Sequence, residues 1–224
     1  ELDPPDALLR EAERLGAPAF RAGRNYRWEV RADSWTFHDD RGALSLPLPG
    51  LRAPAQIANA SAAITALRAV LPALKVDEEH IAAGVAAAAL PGRMQVIPGP
   101  VEIVLDVAHN PQAAQQLAGW LQAHRARGAT QAVFAALADK DVANEVAALM
   151  GQIDIWHLAG LSNMGEQPVE ILWQKVGALL SRSLAMRHAS VAQALTEAHR
   201  MAQPGDRIVV FGSFHTVAEA LAAR

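Results

Sequence analysis

Cysteine is absent from the 224 residues, which removes disulfides, thiolate metal sites and a cysteine nucleophile together. That absence fits a reducing compartment such as the cytoplasm. An excess of positive charge is also lacking. The net charge is −3 and the Lys and Arg residues are scattered, whereas a nucleic-acid-binding surface concentrates them. Long apolar runs are missing too. The longest uncharged one, residues 81–90, falls far short of the roughly 18 residues that a membrane-spanning helix needs. No basic segment followed by an apolar one opens the chain, so no secretory signal is expected. Neither GxxxxGK[ST] nor GxGxxG occurs, and no glycine-rich loop marks a nucleotide site. The eight histidines show no HExxH or other zinc spacing, and the hydrolase elbow GxSxG is absent. The chain begins at Glu1 rather than at methionine, which reads as a fragment boundary.

Hydrophobic residues make up 51% of the chain and charged residues 19%, which supplies a core and argues against disorder. The length allows one large domain, or one modest domain with part of another. Two textures support the second division, at residues 1–90 and 91–224. The first begins with Asp3-Pro4-Pro5 and a short helical pattern, Leu8, Leu9, Ala12 and Leu15, closed by Gly16. Residues 26–30 and 34–38 alternate aromatic or β-branched with polar side chains, which predicts antiparallel strands with one wet face and a turn at 39–42. Pro47, Pro49, Gly50 and Pro54 read as a loop. Two alanine-rich helices are expected at 55–70 and 77–90.

From residue 91 the rhythm changes. Apolar runs at 101–107, 131–137, 153–158, 184–188 and 207–211 alternate with helical patterns at 111–127, 142–150, 169–180, 191–202 and 215–223. Near-continuous apolar strands between amphipathic helices predict an α/β fold, a mainly parallel sheet covered on both faces. Ligands of such sheets sit outside the carboxyl ends of the strands.

Three places there carry chemistry. Asp106-Val107-Ala108-His109-Asn110-Pro111 follows the first run. Its carboxylate suits a ribose hydroxyl or a cation's ligand shell, and its imidazole suits an anion or a proton. Asn110 before Pro111 is also a good helix start, cap then first position. In Leu90-Pro91-Gly92-Arg93 a stiff bend projects a five-donor fork suited to phosphate or carboxylate; the alternative is a solvated surface arginine. In Gly212-Ser213-Phe214-His215-Thr216 the hydroxyls and free helix N–H groups suit a carboxylate or phosphate, unless Ser213 or Thr216 simply caps the helix. Asp139-Lys140-Asp141 reads as a charged loop.

Taken in order, Asn59-Ala60-Ser61-Ala62-Ala63 through Leu67-Arg68, Leu90-Pro91-Gly92-Arg93, Asp106-Val107-Ala108-His109-Asn110-Pro111 and Gly212-Ser213-Phe214-His215-Thr216-Val217 resemble the second half of the folylpolyglutamate synthase/dihydrofolate synthase family of Mur ligases. The resemblance covers essentially the whole chain. It implies a Rossmann-like C-terminal domain at 91–224, preceded at 1–90 by the tail of a central ATPase-like domain, with strands and two helices. It also implies a cytoplasmic ligase that uses ATP and Mg2+ to turn the carboxylate of dihydropteroate or folate into an acyl phosphate, which the amine of L-glutamate then attacks. By the same resemblance Asn59, Arg93 and Asp106 contact ATP, while His109 and Ser213 face glutamate. The family's phosphate loop, magnesium ligands and carbamylated lysine would lie upstream of Glu1. No catalytic residue or metal ligand is then expected within the chain, which alone would be inactive. No nucleic acid or membrane partner is implied. Another Mur-type ligase of cell-wall precursors, or a non-catalytic α/β binding module, are the competing readings.

Overall fold

The computed structural model describes residues 3–51, 53, 55–70, 74, 76–161 and 168–223. Two compact units divide the chain, Glu1–Ala89 and Leu90–Arg224. Among the described residues no helix is long and apolar enough to cross a membrane.

In the first unit, helix α1 (Asp6–Arg14) precedes a three-stranded antiparallel sheet of β1 (Arg27–Val30), β2 (Ser34–Asp39) and β3 (Gly42–Pro47), followed by α2 (Gln56–Val70) and α3 (Glu78–Ala87). Strand β3 had not been expected; its proline and glycine flanks read as loop. Pairing with β2 explains it. Trp35 and Phe37 of β2 and Leu44 and Leu46 of β3 all point inward, at most 2% exposed, onto Ile64 of α2 and Ile81 of α3. The period of two in both strands therefore feeds one core. Inside α2 the buried hydroxyls of Ser61 and Thr65 donate to carbonyls one turn back, Ile57 and Ser61.

In the second unit, β4 (Gln95–Ile97), β5 (Glu102–Leu105), β6 (Thr130–Phe134), β7 (Ile155–Ala159), β8 (Leu184–His188) and β9 (Arg207–Phe211) form one sheet in the order β4-β5-β9-β6-β7-β8. The expected parallel sheet is present, with one addition. Strand β4 runs antiparallel to β5 at the edge and is too short to announce itself. Helices α4 (Pro111–Ala123), α5 (Val142–Leu149) and α6 (Val169–Val176) carry the chain outward across the sheet, and α4 packs on α5 and α5 on α6. Helix α7 (Val191–Met201) brings it back to β9, and α8 (Phe214–Ala222) packs on α7. Right-handed crossovers put helices of opposite travel on opposite faces.

The two cores differ accordingly. On one face Ile103, Val133, Ile208 and Val210 pack with Ala194 and Val217 of α7 and α8. The alternate residues Phe134, Trp156 and Phe211 are fully buried against one another, with Phe134 and Phe211 ring centroids 4.7 Å apart and Trp156 edge-on to Phe134.

Two ionisable groups sit inside this unit with opposite consequences. His157 is fully buried, its Nε2 donating to Gln131 Oε1 at 2.9 Å and its Nδ1 within 3.1 Å of His188 Nε2. Burial, then the His188 charge, pushes His157 down from 6.5 to about 4. Glu145 of α5 is fully buried with neither carboxylate oxygen hydrogen-bonded, and burial, then Asp141, pushes it up from 4.5 to about 7. For His157 the unfolded chain holds more protons between pH 4 and 6.5, so its stabilisation is present above that window and lost as pH falls through it. For Glu145 the folded chain holds more protons between pH 4.5 and 7, so stability falls as pH rises. The two slopes oppose, each up to about 1.4 kcal/mol per pH unit. Urea unfolding at several pH values should show Glu145→Gln gaining stability with rising pH relative to wild type, and His157→Gln losing it. Variants that keep the wild-type pH slope would contradict this pairing.

Candidate functional site

Strands β5 and β9 are parallel neighbours, yet the helices after them, α4 and α8, take opposite faces of the sheet. Diverging connections open a crevice at the carboxyl ends of two such strands. Asp106 and His109 leave the end of β5, Ser213 leaves the end of β9, and Arg93 lies in the turn that leads into β4, the other neighbour of β5. The fold thus gathers four of the five predicted site residues in one unit.

Asp106 is 8% exposed, and each carboxylate oxygen accepts one backbone N–H: Oδ2 from Met94 at 2.7 Å, Oδ1 from Ala108 at 2.8 Å. Burial pushes its carboxyl above the ordinary range, while these N–H groups and the charges of Arg93 and His109 pull it back. Structurally it is a brace. It fixes the turn of residues 91–94, where Met94 sits at φ 48, a left-handed conformation that costs a side-chain-bearing residue about 1–2 kcal/mol. Gly92 at φ 71 is required as well, because a Cβ there would meet Val107 Cγ1 and Val217 Cγ1 at 2.9 Å. The Gly92 carbonyl accepts from Val107 N at 2.8 Å, which closes the turn onto the strand end.

Arg93 is carried on this braced turn. Among the described residues its guanidinium has no hydrogen bond and no ion pair; it lies 5.2 Å above the Phe214 ring. His109 is half-buried, and its Nδ1–H donates to the Val107 carbonyl at 2.9 Å. That bond fixes the ring and leaves Nε2 as the available nitrogen.

Ser213 is 3% exposed and caps α8, its Oγ accepting from Thr216 N at 3.0 Å. Thr216 Oγ1 donates to the Ala135 carbonyl at 2.6 Å, so the proton between the two hydroxyls, 2.7 Å apart, comes from Ser213. The capping alternative is therefore realised, and what α8 can offer a ligand is its N-terminus rather than that hydroxyl. Asn110 likewise caps α4, accepting from Ala113 N at 2.8 Å with Pro111 at the first helical position. Asp141 caps α5, and Lys140 pairs with Asp139 at 3.1 Å, the charged loop expected there. Asn59 belongs to the first unit. It is exposed on α2, its Nδ2 donating to Gln56 Oε1 at 3.3 Å, along an apolar groove of about 380 Å³ between α2 and α3.

Two contributors were not singled out from the sequence. Phe214 sits beside both Arg93 and His109, with ring centroids of Phe214 and His109 6.4 Å apart; its place directly after a helix cap was the available signal. The left-handed Met94 had none.

Residues 92–214 match the family described as Mur ligase, glutamate ligase domain, and the chain belongs to that family. It is 37% identical to the dihydrofolate synthase/folylpolyglutamate synthase of Escherichia coli (strain K12) across 99% of this chain and 50% of that protein. Identity to the protein of the same name from Haemophilus influenzae is 30%, across 96% of this chain and 52% of that one. Among solved structures, E. coli FolC in complex with DHPP and ADP aligns with a TM-score of 0.86 at 36% identity, over 99% of this chain and 51% of that chain. A bifunctional folylpolyglutamate synthase/dihydrofolate synthase with Mn, AMPPNP and L-glutamate bound aligns with a TM-score of 0.84 at 32% identity, over 99% and 51%. The chain spans about half the length of the curated relatives it matches. The resemblance expected from the motifs is borne out.

The brace can be tested by stability alone. Asp106→Ala leaves the N–H groups of Met94 and Ala108 without their acceptor, at a cost of about 1–3 kcal/mol for each that stays buried. Asp106→Asn keeps one acceptor and should lose less. Urea unfolding of both variants checks this, and an alanine variant as stable as wild type would show that the turn is held elsewhere.

Proposed function

We propose that the chain is the C-terminal half of a cytoplasmic ATP-dependent ligase that joins L-glutamate to dihydropteroate, to glutamylated folates, or to both. Residues 1–90 are then the end of a central ATPase-like domain and 91–224 the C-terminal Rossmann-like domain. The observation that carries the reading is the Arg93 guanidinium, without hydrogen bond or ion pair among the described residues and carried on a braced turn beside the crevice that such diverging parallel strands open. The crevice belongs to a chain that aligns almost end to end with such ligases.

ATP supplies the phosphoryl group that converts the folate carboxylate into an acyl phosphate. Toward its phosphates Arg93 presents a planar fork of five donors, none of which is hydrogen-bonded among the described residues. Asp106 acts at the same place by holding the turn that aims Arg93. Asn59, exposed on α2, is the residue that the resemblance assigns to the adenine. On the glutamate side, His109 turns Nε2 outward, and the N-terminus of α8 beyond Ser213 favours a carboxylate. Among the described residues no three His, Asp or Glu side chains converge to hold a metal. In this reading the rest of the ligase provides the ligands for Mg2+.

The full-length protein, given ATP, Mg2+, L-glutamate and dihydropteroate or a folate, should release ADP and yield a product longer by one glutamate. The 224-residue chain alone should release none. Turnover with a cell-wall nucleotide precursor instead would place it among the other Mur ligases. Within the full-length enzyme, Arg93→Ala should lower kcat/KM for ATP by about 10–100-fold through the lost charge-assisted contact. Arg93→Lys should recover only part of that. His109→Ala should raise the KM for glutamate with ATP affinity nearly unchanged, at the stability cost of leaving the Val107 carbonyl without its imidazole donor. A fall in Tm with unchanged glutamate KM would remove His109 from the substrate site.

A further inference from the structure

Phe214 is the first residue of α8, and 53% of it is exposed. What sets this ring apart from the other exposed apolar side chains is a firmly fixed backbone beneath it and a guanidinium above it. Its backbone is locked from both sides. Gly212 at φ 120 admits no Cβ, which would collide with the Ala135 carbonyl, and Ser213 is tied through Thr216 to that same carbonyl. The side chain therefore leaves from a fixed place, and the structure shows it in one rotamer there. In that place its face lies 5.2 Å below the Arg93 guanidinium, and its centroid lies 6.4 Å from that of His109.

We propose that Phe214 is a positioning residue of the site, one that aims the Arg93 guanidinium and steadies the His109 ring without consuming any group a substrate needs. The inference rests on the ligase reading above. Its physical content is a choice between two ways of holding an arginine. A carboxylate partner holds the side chain firmly but occupies its donors and cancels its charge. An aromatic face attracts the cation through the ring quadrupole and leaves all five N–H groups in the guanidinium plane free. Arg93 has the second kind of support, and among the described residues no carboxylate occupies its donors, although its charge is felt by Asp106. His109 is treated alike: its Nδ1 is spent on the Val107 carbonyl, and the neighbouring ring makes no demand on Nε2.

Three substitutions separate the ring's π face from its bulk. Phe214→Leu keeps an apolar side chain and removes the face, Phe214→Trp restores a face, and Phe214→Leu combined with Arg93→Ala asks whether the effect passes through Arg93. In the full-length enzyme, Phe214→Leu should raise the KM for ATP by about 2–30-fold, the range of one cation–π contact, with kcat little altered. Phe214→Trp should recover most of that loss. In the Arg93→Ala background Phe214→Leu should add nothing. An unchanged KM in Phe214→Leu, or a loss that adds fully to that of Arg93→Ala, would overturn the proposal.

A second readout needs no ligase activity. In the 15N-labelled 224-residue chain the Arg93 Nε–Hε signal should carry a ring-current shift that Phe214→Leu abolishes and Phe214→Trp retains. If the wild-type enzyme proves inactive, the ligase reading fails while this measurement still decides the positioning. An Arg93 signal indifferent to Phe214→Leu would sink it.

Discussion

The Asp106 carboxylate joins two segments that the sheet alone would leave independent. By accepting N–H groups from Met94 and Ala108 it fastens the turn before β4 to the end of β5. Arg93 stands on that turn and His109 on that strand end, so the relative position of the two follows from one buried acid. The left-handed Met94 shows that the turn would not take this shape unaided. Burial disfavours the charged carboxylate, and its N–H partners together with Arg93 and His109 offset that penalty. The residue that the resemblance assigns to the nucleotide is also the one that shapes the turn carrying Arg93.

The same division between holding and offering recurs around the crevice. Ser213, Thr216 and Asn110 spend their side chains on helix starts and on the Ala135 carbonyl. What remains for a ligand, among the described residues, is a guanidinium without hydrogen bond or ion pair, one imidazole nitrogen and the N-termini of two helices, of which the guanidinium and the helix ends favour anions. Substrates of the proposed reaction, a nucleotide and glutamate, are anions. The arrangement also accounts for the strand order. Only because β9 returns between β5 and β6 do the ends carrying Ser213 and Asp106 become neighbours.

Much of this was legible in the sequence, and the exceptions have physical reasons. Strands buried on both faces announce themselves as continuous apolar runs, and β5, β6, β7 and β9 were read that way. Strand β4 carries only three residues, all half-buried, and exists because β5 offers it an edge. Strand β3 hides between Gly42 and Pro47, although its Leu44 and Leu46 alternate as a half-buried strand should. At the site, Asn110-Pro111 and Ser213 were recognisable as helix starts because capping is local chemistry. The Arg93–Phe214 contact and the left-handed Met94 depend on which strands become neighbours, and nothing local encodes them.

The central claim is that the crevice between β5 and β9 is where a phosphate donor and glutamate are held. Hydrogen–deuterium exchange on the full-length protein, with and without a non-hydrolysable ATP analogue, Mg2+ and L-glutamate, addresses it most directly. The account expects slowed exchange in peptides covering residues 92–94, 106–110 and 212–216 when both ligands are present. Saturating ligands that protect other segments and leave these three unchanged would contradict it.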